Sequence, residues 1–212
     1  AFMDVAIMTL DGVEAWVSRS GYTGEDGYEI SVPEEAATAL AQTLLAHPAV
    51  EAIGLGARDS LRLEAGLCLY GQDIDASTTP VDANLTWAIQ KARRTGGARA
   101  GGFPGAETIL AQMADGTSRR RVGLRPDGRA PVRAGVPLFA AESGGEAIGT
   151  VTSGGFGPSV EAPVAMGYLP TDLADPGTPV YGELRGRRVP LTVVQLPFLP
   201  ARFKRRTAKV SS

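Results

Sequence analysis

The pattern of apolar and polar positions in the first third of the chain predicts two strands joined by a loop. Side chains alternate over residues 15–19 and again over residues 28–32, which is typical of half-buried strands. The intervening segment contains Gly21, Gly24 and Gly27, so it predicts a tight turn or loop. The segment leads into a strand and lacks the G-x-G-x-x-G spacing, which argues against a nucleotide-binding fingerprint.

The residues after these strands predict two helices. Proline and two acidic residues at positions 33–35 favour a helix start, and apolar residues at helical spacing extend it to His47, before Pro48. A second helix is predicted over residues 56–64, with Leu55, Leu61 and Leu63 as its buried side. Arg58 and Arg62 stand four residues apart and therefore share a face, which favours an acidic group or a ligand anion opposite them.

The character of the chain changes after Gly116, where short apolar runs alternate with turn residues. This pattern is the signature of a small antiparallel β-barrel or sandwich. We therefore predict an α+β protein in which residues 1–117 form an antiparallel sheet with helices and residues 118–212 form a small β-barrel. The predicted strands of the second unit lie within residues 121–124, 136–139, 147–152, 164–168, 179–181 and 191–194.

Composition excludes several classes of function. The 212 residues carry a formal net charge of -2, which gives no reason to expect nucleic acid as a partner. No apolar stretch reaches the roughly 18 residues that a membrane-spanning helix needs. Cys68 and His47 are the sole residues of their types, so neither an internal disulfide nor a zinc site of the usual kind is expected, and no metal is predicted.

Five segments, in order along nearly the whole chain, resemble one family. They are SGYTGEDGYEI at 20–30, ARDSLRLEAGL at 57–67, RRVGL at 120–124, GTVTSG at 149–154 and VAMGYLP at 164–170. Together they resemble the aminomethyltransferase, or T-protein, of the glycine-cleavage system. The resemblance implies a three-lobed fold with folate at its centre, ending in a β-barrel, so residues 1–117 become the later portion of a folate-binding domain.

The resemblance also implies an activity. Members of the family take an aminomethyl group from the lipoyl arm of the glycine-cleavage H-protein, release ammonia and pass the one-carbon unit to tetrahydrofolate. The resemblance covers only the later part of the family's length, so we expect the chain to begin inside a fold. We also expect it to lack the aspartate that lies beside the reacting folate nitrogen in the family, and no catalytic residue is assigned.

Two charged residues match the family's folate-binding positions. Glu29 closes the GYTGEDG motif, and one carboxylate accepts both a ring N–H and an amino group of a pterin. Arg58 opens the second motif and suits the carboxylate of the folate glutamyl tail, because its guanidinium offers a fixed fork of donors. For Arg58 the alternatives are a structural ion pair, with Asp59 or Glu64, or replacement by Arg62 as the ligand-binding group.

Three aromatic residues complete the predicted site. Tyr22 and Tyr70 suit an aromatic wall for a flat pterin, although core packing explains each of them equally well. Phe203 stands where the family often carries a tyrosine, so a hydroxyl contact is lost there while the ring is retained. Arg202 is a candidate for a replacement charge.

Two other functions remain open on the sequence. One is a non-catalytic module that binds folate or a protein partner, and the other is the folate domain of a dimethylglycine or sarcosine dehydrogenase relative. The composition, rich in alanine, glycine and arginine, favours a bacterial source and hence the cytoplasm, with the mitochondrion expected for a eukaryotic source.

Overall fold

A computed structural model describes residues 1–205. Its first part contains a three-stranded antiparallel sheet in the order β1-β2-β3, with Val17 paired to Ala6 on one side and to Ile30 on the other. The sequence pattern did not predict β1, because its residues form an apolar run without alternation. The strands are β1 (Val5–Leu10), β2 (Val13–Ser18) and β3 (Glu29–Ser31).

Three α-helices lie within the described residues: α1 (Glu34–Leu45), α2 (Leu55–Glu64) and α3 (Ala106–Asp115). The predicted buried side of α2 is wrong at its first position, since Leu55 is 82% exposed. The buried residues of α2 are instead Arg62, Leu63 and Glu64, because only the last turn of the helix reaches the barrel. Short 3-10 turns occupy Thr86–Ala88, Lys91–Arg93 and Thr171–Leu173.

The second part is a closed antiparallel barrel with the strand order β4-β7-β6-β5-β8-β9, which confirms the predicted α+β class. Alternate residues of the strands fill its centre, where Leu124, Val151 and Leu191 are buried. The placement of a boundary between residues 117 and 118 stays a prediction. The barrel strands are β4 (Arg119–Pro126), β5 (Pro137–Phe139), β6 (Gly149–Gly157), β7 (Ala162–Pro170), β8 (Pro179–Leu184) and β9 (Arg187–Val194).

The last turn of α2 joins the two parts. Leu63 packs with Val164 and Met166 on the outside of the barrel. Glu64 accepts backbone hydrogen bonds from Ser159 at 2.7 Å and Val160 at 3.0 Å through Oε1. Buried polar groups are tolerated when their hydrogen bonds are satisfied, so this junction combines apolar contact with a defined orientation.

The end of the described chain returns to the glycine-rich loop of the first part. The Arg202 amide donates to the Gly24 carbonyl at 2.8 Å, and the Lys204 amide donates to Asp26 Oδ1 at 3.3 Å. Arg19 also binds Asp26 through both nitrogens of its fork, with Nε 2.8 Å from Oδ1. Residues 202–204 therefore lie along the loop between β2 and β3.

Replacement of Gly154 by alanine tests the packing of the barrel. A Cβ atom at this position would lie 1.8 Å from the Val132 carbonyl oxygen, so the backbone must move to admit it. We expect Gly154→Ala to destabilise the protein by about 1–3 kcal/mol in urea unfolding, the range for overpacked cores. Gly128→Ala is the control, because a Cβ at Gly128 meets nothing within 4 Å. Equal midpoints for both variants would contradict this packing.

The Asp26 carboxylate provides a pH-dependent test of the loop contact. The hydrogen bond from Arg19, supported by the Lys204 amide, lowers the pKa of Asp26 from 3.8 to about 2. Since the folded pKa is depressed, the stabilisation is complete above pH 4 and is lost as the pH falls through about 2. We expect carboxyl ¹³C NMR to show this low midpoint and Arg19→Gln to raise it towards 3.8. A midpoint that does not respond to Arg19→Gln would exclude the contact as its cause.

Candidate functional site

An open cleft of about 240 Å³ lies beside the first turns of α2. The helix contributes residues from one face, the glycine-rich loop contributes Tyr22, and the segment after the helix closes the remaining side. Two of the five predicted site residues, Tyr22 and Arg58, border this cleft. Its lining residues are Tyr22, Leu55, Arg58, Asp59, Arg62, Leu69 and Gln72.

Arg58 and Tyr22 are in direct contact. The guanidinium carbon of Arg58 lies 4.8 Å from the centroid of the Tyr22 ring, which is the geometry of a cation–π interaction. The Tyr22 hydroxyl donates a hydrogen bond to the Cys68 carbonyl. Burial raises the pKa of Tyr22 above its usual value, so the ring carries a protonated hydroxyl at neutral pH.

In the part of the chain that the structure describes, Arg58 has no acidic partner. Among residues 1–205 no carboxylate lies within 4.0 Å of its guanidinium. Asp59 is bound by Arg62, with Nε 2.7 Å from Oδ1, and Glu64 is occupied by backbone amides. The structure therefore does not contain the ion pair of Arg58 with Asp59 or Glu64 that was one alternative.

Arg62 serves a structural purpose rather than facing a ligand. It is 2% exposed, and its donors reach Asp73 at 2.7 Å and Ser153 at 2.9 Å as well as Asp59. A guanidinium whose donors are bound in this way has little capacity left for a ligand. Of the two arginines on α2, Arg58 is the one available at the cleft.

Glu29 lies at the start of β3, on an open face of the sheet, and does not border the cleft. The Ser20 hydroxyl donates to its Oε2, while Oε1 has no hydrogen-bond partner among residues 1–205. Cross-strand register places Ser18 opposite Glu29, so Trp16 stands on the same face, two residues along β2. The sequence analysis did not single out Trp16, which is 59% exposed.

Tyr70 and Phe203 have different surroundings. Tyr70 is 71% exposed and stands two residues after the Cys68 carbonyl that binds Tyr22. Phe203 stacks on Phe2 with ring centroids 3.8 Å apart, close to the point where the chain end meets the loop. Neither residue borders the cleft beside α2. Arg202, the candidate for a replacement charge, lies 4.0 Å from Glu25.

Sequence analysis missed Asp73, a buried residue that binds Arg62 beneath the cleft. Asp73 is buried and accepts hydrogen bonds from Arg62, the Leu69 amide at 2.9 Å and the hydroxyls of Thr152 and Ser153. It falls in a polar stretch that predicts a solvated loop. No local pattern distinguishes it, because its partners Thr152 and Ser153 are distant in sequence.

Within residues 1–205, no group of three or more histidine, cysteine, aspartate or glutamate side chains is arranged to hold a metal ion. In the same part of the chain, no helix has the length and apolar character needed to cross a membrane.

Comparison with known families assigns both parts of the chain. Residues 1–93 match the GCVT N-terminal domain, and residues 119–199 match the glycine cleavage T-protein C-terminal barrel domain. The solved structure of glycine cleavage system aminomethyltransferase T from Bartonella henselae superposes with a TM-score of 0.87 at 51% identity. That match covers 96% of this chain and 54% of the Bartonella chain.

Curated relatives give the same result. Mitochondrial aminomethyltransferase from Canis lupus familiaris is 51% identical over 203 residues, which is 95% of this chain and 49% of the relative. The human mitochondrial aminomethyltransferase is 49% identical, with the same two coverages. The chain thus spans about half the length of the curated relatives it matches. The matches to both domains and these identities show that the chain belongs to the glycine cleavage T-protein family and corresponds to the later half of such a protein.

Proposed function

We propose that this chain supplies the folate-binding surface of an aminomethyltransferase of the glycine-cleavage system. The enzyme moves a one-carbon unit from the aminomethyl-lipoyl arm of the H-protein to tetrahydrofolate and releases ammonia. The observation that carries this proposal is the Arg58 guanidinium, which stands over Tyr22 at the edge of a cleft with no acidic partner within 4.0 Å among residues 1–205.

Arg58 is proposed to bind the glutamyl carboxylate of the folate. A guanidinium and a carboxylate form two parallel charge-assisted hydrogen bonds, which fix orientation as well as supplying affinity. Because Arg62 holds Asp59, the nearest acid in sequence does not compete with the ligand. The apolar side chains of Leu55 and Leu69 line the same cleft and suit the uncharged middle of a folate.

Glu29 is proposed to bind the pterin end. The Ser20 hydroxyl orients the carboxylate through one acceptor site of Oε2, and Oε1 together with the second acceptor site of Oε2 can accept the ring N–H and the exocyclic amino group. We propose that Tyr70 and Phe203, with Tyr22, contribute aromatic surface around the ligand. None of the five proposed site residues is assigned to proton transfer; they are Tyr22, Glu29, Arg58, Tyr70 and Phe203.

The proposed reaction needs no oxidant or reductant. The carbon of the aminomethyl group loses its bond to the lipoyl sulfur and its bond to the amine, and it forms two bonds to folate nitrogens. The two protons that leave those nitrogens are taken up by the thiolate and the departing amine. The residues assigned here contribute binding and orientation, which convert a bimolecular encounter into a reaction within one complex. We propose no metal for this chemistry.

Three further assignments are part of the proposal. The lipoylated H-protein is the protein partner, and neither nucleic acid nor a membrane takes part. Residues 1–117 act as the later portion of the folate-binding domain, and residues 118–212 act as the barrel domain. The cytoplasm of a bacterium is the expected compartment, with the mitochondrion for a eukaryotic source, as in the named eukaryotic relatives.

Calorimetric titration with tetrahydrofolate, without oxygen, tests the binding role of Glu29. Replacing Glu29 by glutamine removes the charge and leaves the shape, so we expect affinity to fall by roughly 1.5–3 kcal/mol, the scale of a hydrogen bond to a charged group. Glu14→Gln is the matched control, because Glu14 is an exposed carboxylate on the adjacent strand β2. Affinity that is unchanged in Glu29→Gln, or equally reduced in both variants, would remove Glu29 from the site.

A further inference from the structure

We propose that Tyr22 is a positioning residue: its ring fixes the direction of the Arg58 guanidinium and so makes the cleft select ligands that carry a carboxylate beyond the pterin. This inference rests on the proposed function, since it assigns specificity within the same site. It gives the aromatic surface that Tyr22 contributes to the site a specific task, which is to support Arg58. Three sets of contacts support this role: those of the Tyr22 ring, those of its hydroxyl and those of the loop that carries it.

The Tyr22 ring is held by two contacts, one with α2 and one with the segment that follows it. Its face meets Arg58 on the second turn of the helix, and its hydroxyl binds the Cys68 carbonyl, four residues after the helix ends. These two contacts fix the orientation of the ring. One face of the ring is covered by the guanidinium, so the ring acts on Arg58 directly.

The loop that carries Tyr22 is also held against α2. Gly24 adopts φ +75°, and a Cβ atom there would lie 2.8 Å from the Cβ of Ala65, so loop and helix end touch closely. The Arg202 amide binds the Gly24 carbonyl from the other side. These contacts limit the movement of the loop and hence of the ring.

Arg58 needs such a support because, within residues 1–205, no hydrogen bond or ion pair restrains its guanidinium. Its side chain is exposed, and the nearest acid in sequence, Asp59, is held by Arg62 at 2.7 Å. A long side chain without a partner loses considerable rotamer freedom when a ligand orders it. A cation–π contact restrains the guanidinium without using any N–H donor, so the donors remain available to a carboxylate.

Binding of two ligands to the whole protein tests the proposal. Tetrahydrofolate carries the glutamyl carboxylates, whereas tetrahydropterin lacks the tail. For Tyr22→Leu we expect tetrahydrofolate affinity to fall about three- to tenfold, somewhat more than the loss of an exposed cation–π contact alone. We expect tetrahydropterin affinity to stay within twofold. Tyr22→Phe, which keeps the ring but loses the Cys68 anchor, should show a smaller loss restricted to tetrahydrofolate.

A double-mutant cycle with Arg58→Gln separates positioning from a general structural role. If Tyr22 acts through Arg58, Tyr22→Leu has no further effect on tetrahydrofolate binding once Arg58 is glutamine. Additive losses, or an equal loss for both ligands, would overturn the proposal and return Tyr22 to a ligand wall. Circular dichroism and the unfolding midpoint establish that each variant is folded.

An NMR measurement that needs no ligand keeps the two proposals distinguishable. The Tyr22 ring current should shift the Arg58 Nε–H resonance. Both the Tyr22→Leu substitution and unfolding of the protein in urea should abolish that shift. A resonance at the same position in Tyr22→Leu would overturn positioning even where tetrahydrofolate binds. Failure of the unaltered protein to bind either ligand, with the ring-current shift present, would overturn the proposed function and the specificity role together while leaving the contact itself established.

Discussion

A buried ion pair between Arg62 and Asp73 supports the rest of this structure. The two residues are 2% and 1% exposed, and their closest atoms are 2.7 Å apart. Burying two charges costs several kcal/mol for each ion unless attraction and further hydrogen bonds offset the lost hydration. Here the hydroxyls of Thr152 and Ser153 and the Leu69 amide hydrogen-bond to the pair, which offsets part of that cost.

The same pair connects the barrel with the cleft. Arg62 belongs to α2, Asp73 to the segment that follows it, and Ser153 to the barrel strand β6. One helical turn before Arg62 stands Arg58, so the position of the proposed ligand-binding guanidinium depends on where the barrel holds the helix. Arg62 also binds Asp59, which keeps that carboxylate from neutralising Arg58. One buried residue thus sets both the place of the helix and the charge balance at the cleft.

Local patterns in the sequence predicted the parts of the fold that depend on local rules. Alternation and turn residues indicated the barrel, and the start of α1 followed from Pro33 and the acids after it. The strand β1 was missed because its apolar run lacks alternation, and Leu55 was wrongly placed in the core. Helical periodicity identifies a face, but only tertiary packing decides which turns of that face are covered.

At the site, too, local motifs identified some residues, whereas residues that depend on distant partners were missed. Arg58 and Tyr22 were identified by their motifs, and the structure places them in contact at one cleft. The joint roles of Arg62 and Asp73 were not foreseen, since their partners Thr152 and Ser153 lie about eighty residues away from Asp73. The ligand-binding roles of all five residues stay predictions, and the structure places Glu29, Tyr70 and Phe203 outside that cleft.

Amide hydrogen exchange in an Asp73→Asn variant tests this account most directly. Removing one charge of a buried pair leaves the other uncompensated, at a cost of roughly 3–5 kcal/mol. We expect the amides of α2 to exchange at least a hundredfold faster, while those of the remote strands β8 and β9 change much less. Asp172→Asn, at an exposed carboxylate, is the control. Unchanged exchange in α2, or an equal acceleration throughout the barrel, would contradict the claim that this pair holds the helix and its guanidinium in place.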